Sequence, residues 1–310
     1  MASIDRTANI ALVKRRVRQT LGRSSRVVTS LSKIRDTIAV ATNNGDDAPI
    51  IVEWAHCGLV ARNWGDKLNP VIVRLVSGRR AVPRAEVLNI ASKPVHYVIG
   101  SGLGGVVDPR SVIWGSGFLR YDQKPLVRPQ HIAAVRGPLS RQKYIDAGIE
   151  CPAVYGDPAL LMPLFYRSST TKKYTLGVIP HYREQHLDVY RRLADKNGVR
   201  IIDILGEIEE VIDEIAACEV IASSSLHGLI ASDAYGVPSV WVRASDLPRG
   251  DLFKFRDYLM SVGRSQLEPV MLDRDFEVQE LVDRCERASI EIDTERLLEV
   301  CPFRNGASAA

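Results

Sequence analysis

Short apolar runs alternate with amphipathic stretches along most of this chain, and Gly-, Asn- and Pro-containing turns punctuate them. Residues 49–55 form an apolar run of strand length and read as a buried strand. A loop through Asn63-Trp64-Gly65-Asp66 follows, then a helix expected from about residue 69 to 77. Residues 95–99, 112–114 and 132–135 read as further strands. Pro138 opens a helix at a first-turn position, where its missing N–H is harmless, and Gly148 ends it. A short strand is expected at 153–155, before Gly156-Asp157-Pro158.

A polar stretch rich in Ser and Thr, residues 166–173, separates off a second unit with the same rhythm. Strands expected at 174–179, 200–205, 220–222 and 239–242 alternate with helices at 184–197, 207–218 and 226–235. Such alternation implies parallel sheets with right-handed crossovers. The expected fold is therefore α/β, with two Rossmann-like lobes facing a cleft. Residues 48–165 make the N-terminal lobe and 166–270 the C-terminal lobe. A tail, 271–310, carries a helix at 276–300 that packs back across the lobes. Residues 10–38 look mainly helical and 43–47 form a turn-rich linker, so 1–47 reads as an N-terminal extension.

The 310 residues suffice for two domains, and 45% hydrophobic with 25% charged residues excludes a disordered or fibrous chain. No apolar run approaches the roughly 18 residues of a membrane-spanning helix. No apolar block follows the basic N-terminal residues, so a secretory signal is not expected and the chain is placed in the cytoplasm. Five scattered cysteines without a CxxC pair argue against a disulfide framework and a zinc site, and read as buried free thiols.

The net charge of +4 is unevenly placed. Residues 1–40 hold nine basic and two acidic side chains, so the rest of the chain is slightly acidic. A nucleic-acid enzyme would spread positive charge over its folded surface, and no nucleic-acid partner is expected. The basic leader instead suits peripheral contact with the inner membrane face, unless it is simply a solvated helix.

Ligands of open parallel sheets bind beyond the carboxyl ends of the strands. There the chain places Asn63 and Asp66, Arg136, Asp157, His181, and the block Ser223-Ser224-Ser225-Leu226-His227-Gly228. Three hydroxyls and the following N–H groups, Leu226 included, open a helix, an arrangement suited to phosphate. His227 can then donate to that anion or to a leaving group. Ser224 or Ser225 acting as a simple N-cap beside a buried His227 fits equally well. Asp66 is a general base or a turn residue; Arg136 forks onto an anion or pairs on the surface; His181 lies between such readings, and Asp157 suits a turn. Gly100, Gly102 and Gly105 match G-x-G-x-x-G, but Pro109 breaks the helix that a dinucleotide site needs. The six histidines show no ligand spacing, so neither metal nor redox cofactor is expected.

Four blocks resemble, in matching order, the polysaccharide pyruvyl transferases: Asn63-Trp64-Gly65-Asp66-Lys67-Leu68-Asn69-Pro70, Val135-Arg136-Gly137, Gly156-Asp157-Pro158-Ala159, and the serine-rich block running to Gly236. Lys254-Phe255-Arg256-Asp257-Tyr258-Leu259 with Ser261-Val262-Gly263 resembles the branch acting on exopolysaccharides of the succinoglycan and xanthan type. The resemblance implies a fold similar to GT-B glycosyltransferases. It implies phosphoenolpyruvate as donor, no cofactor, and a lipid-linked or polymeric saccharide as acceptor of a pyruvate ketal. Asp66, Arg136 and His227 then line the donor site: Arg136 and the serine turn as anion clamps, His227 as acid or phosphate partner, Asp66 as base, with His181 as a further candidate. Many relatives carry Arg two places before the histidine, where this chain has Ser225. Arg243, Arg249, Lys254 and Arg256 are candidates for the missing cation. The alternatives are a nucleotide-sugar glycosyltransferase or a non-catalytic glycan-binding protein of the same fold.

Overall fold

The computed structural model describes residues 33, 35–40, 48–88, 93–246, 252–272, 276–287 and 289–304. The predicted extension at 1–47 lies largely outside these, including the whole 43–47 linker, and so does Arg249. Residues 35–40 are helical, and Val40 is buried against the first lobe.

Two five-stranded parallel sheets form the body. The first contains β1 (Ile50–Val52), β2 (Ala81–Pro83), β3 (Val95–Tyr97), β4 (Ser111–Trp114) and β5 (His131–Ala134), in the order β2-β1-β3-β4-β5. The second contains β6 (Tyr174–Ile179), β7 (Val199–Ile201), β8 (Cys218–Ser223), β9 (Ser239–Arg243) and β10 (Val270–Met271), in the order β10-β9-β8-β6-β7. Both sheets are wound alike: the opening strand lies between the second and third strands of its lobe. The order reverses at β1/β3, where Val52 pairs His96, and at β6/β8, where Ile179 pairs Ser223. These switch points leave a crevice beyond the strand ends. The fold is α/β with two Rossmann-like lobes, as the alternating pattern predicts.

Helix α1 (Trp64–Ser77) starts earlier than the sequence pattern suggests. Asn63 caps it by accepting from the Gly65 N–H at 3.1 Å, and Gly78 closes it at φ 69°. Pro70 therefore sits inside the helix, and Asp66 occupies the first turn instead of a loop. The buried stripe Leu68, Ile72, Val73 and Val76 seats α1 on its sheet. Helix α2 (Pro138–Asp146) begins and ends as predicted. Helix α3 (Asp188–Ala194) is shorter than the expected 184–197, because residues 181–187 are held in turns by bonds such as Glu184 N–H to the His181 carbonyl. Helices α4 (Ile208–Ala216), α5 (Leu226–Ala234) and α6 (Phe253–Ser261) complete the second lobe. Residues 153–155 make only an isolated bridge, Val135 to Tyr155.

The tail carries two short helices where one was expected: α7 (Val278–Arg284) and α8 (Thr294–Glu299). Leu281 and Val282 of α7 join the core of the second sheet. Leu297 of α8 accepts from Trp114 Nε1 of the first lobe at 2.8 Å, and Phe303 meets Trp114 edge-on. The tail thus bridges both lobes. The start of α1 also docks across: Trp64 N–H donates to the Ile204 carbonyl and Lys67 pairs with Glu207. A single apolar cluster runs through the interface, which fixes the lobes around the cleft.

Candidate active site

Asn63, Asp66, His181, Ser225, Leu226 and His227 all line one cavity of about 350 Å³ between the switch points. Three different elements deliver them: the capped start of α1, the turn after β6, and the start of α5.

Asp66 is half-buried in the first turn of α1. Desolvation lifts its pKa to about 7, against the opposing pull of a backbone hydrogen bond from Ala55 and of Lys254. His227 lies over Gly65: a Cβ at that glycine would sit 2.2 Å from the imidazole ring. Burial, then the charges of Lys254 and Arg136, push the His227 pKa down to about 3, so the ring is neutral at physiological pH. Its Nε2 is buried without a hydrogen-bond partner. His181 is lowered to about 3 by burial, Lys254, Arg183 and His227, and its Nδ1 accepts from Arg183 N–H at 3.3 Å.

The serine block divides into scaffold and wall. Ser223 Oγ donates to the Ser225 carbonyl at 2.8 Å and accepts from Ser225 N–H at 3.1 Å, which closes the turn on itself. Ser224 Oγ accepts from His181 N–H across the β6/β8 switch at 2.8 Å and donates to Glu184 at 2.9 Å. Neither Ser223 nor Ser224 lines the cavity. Ser225 does, at the N-cap of α5, and its side chain makes no capping bond. The N–H groups of Leu226 and His227 in the first turn face no backbone acceptor within the helix, leaving donors and a partial positive charge at the cavity wall.

Arg136 takes a different place from the anion clamp expected of it. It is completely buried outside the cavity lining, and every donor is engaged: Nε and one terminal nitrogen on Asp257, the others on Ser101, Gly100 and Phe118. Its charge reaches the site only through space. Arg243 and Arg256 also lie away from the lining. Arg243 is held by Ser245 and Asp246, and Arg256 by Glu268 and Tyr121. Asp157 caps the 3-10 helix Pro158–Leu164, as a turn residue would, although its Oδ2 is buried without a partner.

Lys254 is the candidate cation that does face the cavity. Burial and Arg136 lower its pKa to about 8, with Asp66 and Glu184 opposing. Tyr182 and Arg183, next to His181 after β6, also line the cavity, although the strand-end rule did not single them out. Glu184 was also missed. It is buried under the serine turn, accepting from Ser224 and from Ser245 Oγ at 2.6 Å, and burial raises its pKa. No group of three or more His, Cys, Asp or Glu suited to a metal occurs among the described residues. Four cysteines are buried free thiols; Cys57 is exposed.

A profile described as "Polysaccharide pyruvyl transferase" matches residues 80–246, more than half of the chain. The chain belongs to the polysaccharide pyruvyl transferase family. The matched span contains Arg136, His181 and the serine block with His227, but neither Asp66 nor Lys254. A succinoglycan biosynthesis protein, ExoV, of Rhizobium meliloti is 29% identical over 173 residues, 53% of this chain and 52% of that protein. The match thus spans about half the length of that relative. An uncharacterized protein of Acanthamoeba polyphaga mimivirus is 28% identical over 211 residues, 65% of this chain and 71% of that protein. A solved structure of a functionally uncharacterized protein from Klebsiella pneumoniae aligns with a TM-score of 0.42 at 11% identity, covering 82% of this chain and 100% of that one.

Proposed function

We propose that this pyruvyl transferase uses phosphoenolpyruvate to place a pyruvate ketal on a hydroxyl pair of a sugar in an exopolysaccharide or its lipid-linked precursor. Family membership and the succinoglycan biosynthesis role of the Rhizobium meliloti relative support the reaction class. The observation that carries the reading is a convergence in one cavity. An uncommitted histidine nitrogen and the open end of α5 suit an anion, and a carboxylate balanced near neutrality faces them.

In this reading the donor's phosphate lies at the α5 N-terminus beside His227. The donor's negative charge raises the His227 pKa, and the resulting imidazolium protonates the methylene carbon of phosphoenolpyruvate. The oxygen of one sugar hydroxyl bonds to the oxocarbenium-like carbon, and its proton passes to Asp66. The C–O bond to phosphate then breaks, phosphate leaving with the electron pair. The second hydroxyl closes the ketal, and its proton departs with the phosphate. Solvent returns the Asp66 proton to the histidine. Preorganised N–H donors and a buried reaction centre supply the stabilisation that such a charged sequence needs. No cofactor enters the reading.

The test is phosphate release from phosphoenolpyruvate, with and without a lipid-linked glycan fraction from the source cells. Acceptor-dependent release, with pyruvate recovered in the glycan, supports the reading. Release of nucleoside diphosphate from a nucleotide sugar, without phosphoenolpyruvate, would replace it with glycosyl transfer.

No helix among the described residues is long and apolar enough to cross a membrane. In keeping with a lipid-linked acceptor, the basic residues before 33 are proposed to hold the enzyme at an anionic inner membrane face. Changing Lys14, Arg15, Arg16 and Arg18 to Gln tests this. Sedimentation with anionic vesicles that does not fall would reject it.

A further inference from the structure

We propose that Lys254 is the catalytic-site cation that grips the anionic end of the donor, delivered into the cleft by helix α6. Under the reading above the donor is a small phosphorylated carboxylate, so its site needs at least one committed positive charge.

The supply of cations at the cleft is narrow. Arg136 has spent all its donors on Asp257, Ser101, Gly100 and Phe118. Arg243 and Arg256 are tied to carboxylates outside the cavity. Position 225 holds a serine, which carries no charge. Arg183 lines the cavity but is exposed at its rim, with its guanidinium over the Tyr182 ring. Lys254 has no ion-pair partner within 4 Å among the described residues, although Asp66 and Glu184 act on it through space. Its ammonium lies 5.1 Å from the Phe255 ring centroid, a contact that leaves its three donors open. A partly desolvated, unpaired ammonium is costly, and an anionic ligand offsets that cost.

The helix that carries Lys254 is anchored on both sides. Asp257, one turn on, takes Arg136 and both Ser140 donors, N–H at 2.8 Å and Oγ at 2.7 Å, in the first lobe. Tyr258 donates to Asp233 of α5 at 2.8 Å in the second. Positions i, i+3 and i+4 of one helix thus address the cleft, the first lobe and the second. A bare Gly137 lets α2 approach: a Cβ there would come within 1.8 Å of the Asp257 carbonyl oxygen. Asp257 and Tyr258 are positioning residues in this arrangement.

The experiment compares wild-type, Lys254→Met and Lys254→Arg proteins in the acceptor-dependent phosphate-release assay. Lys254→Met is expected to raise the KM for phosphoenolpyruvate roughly 10- to 100-fold, the scale of a hydrogen bond to a charged group. The KM for the glycan fraction should stay within about twofold, and Lys254→Arg should recover much of the donor affinity. An active, folded Lys254→Met enzyme with unchanged donor KM overturns the proposal. A second arm needs no variant: trinitrobenzenesulfonate labelling of wild-type Lys254, read by mass spectrometry. Protection by millimolar phosphoenolpyruvate is expected, and labelling at the same rate with and without it overturns the proposal. Wild-type protein that releases no phosphate under any condition would remove the transferase reading, while the protection arm still decides whether Lys254 holds the anion.

Discussion

Arg136 and Asp257 form an ion pair in which both side chains are wholly buried, although 121 residues separate them in the chain. Asp257 also receives both Ser140 donors, so all the charge is locally satisfied. Breaking such a pair from one side leaves an uncompensated buried charge, at a cost of about 3–5 kcal/mol. Asp257→Ala should lower stability by that amount in urea unfolding. Arg136→Lys should also destabilise, because one ammonium cannot replace five fixed donors. An Arg136→Lys protein of full stability but weakened donor binding would instead restore Arg136 to the role of anion clamp.

Gly65 and His227 are in close contact across the cleft, and the contact leaves no room for a methyl group. Gly65→Ala would favour an isolated helix by about 1 kcal/mol. Here it must push the imidazole aside. We expect turnover to fall by about 100-fold or more, the scale of a misplaced catalytic group. Circular dichroism should show an intact fold. Near wild-type turnover in that variant would remove His227 from the reaction.

Most strands were legible because parallel strands buried on both faces are continuous apolar runs, bounded here by glycines and prolines. β6 and β8 show it: their last four residues are all buried. β2 escaped notice as three residues ending in proline at a sheet edge, a pattern with no strand signal of its own. The start of α1 was misplaced because Asn63 to Asp66 read as a loop, whereas the Asn63 cap sets the true start.

The site was legible where one rule sufficed. Polar residues after strands gave Asp66, His181 and His227. The rule could also have reached Arg183, two residues beyond His181. Arg136 was misread because its fate depends on Asp257, and no local pattern reports a partner on another lobe. Glu184 was hidden for the same reason. It reads as the exposed start of a helix, yet Ser245, 61 residues later, closes over it.

That closure gives a further prediction. Glu184→Ala removes the buried carboxylate that accepts from Ser224 and Ser245, and each hydrogen bond lost to a charged group costs about 1.5–3 kcal/mol. Unfolding should occur at lower urea. Donor KM should rise severalfold as the serine turn loosens, whereas Glu184→Gln keeps an acceptor and should fall between. A Glu184→Ala enzyme with wild-type donor KM would show that the turn holds without it.

Asp66 faces Lys254, His227, His181 and Arg183 across the cavity, and the two histidines are neutral above pH 5. At saturating donor, where His227 already holds its proton, the pH dependence of turnover should reflect the Asp66–Lys254 pair. Asp66 must be ionised to act as base, so activity rises with pH through about 7. Lys254 must be protonated to hold the donor, so activity falls above about 8. The two limbs belong to the coupled pair, and the profile should be a narrow bell. Lys254→Arg should shift the alkaline limb upward and leave the acid limb in place. Stability should move in the opposite sense to the acid limb. The folded-state pKa of Asp66 lies above its ordinary 3.8, so ionising it destabilises the fold progressively between about pH 4 and pH 7. Asp66→Asn should therefore raise the urea midpoint relative to wild type at pH 8, show little difference at pH 4, and abolish the acid limb with a large loss of turnover. Equal urea midpoints at pH 8 would mean that Asp66 titrates as an ordinary exposed carboxylate, and a retained acid limb would assign the base to another residue.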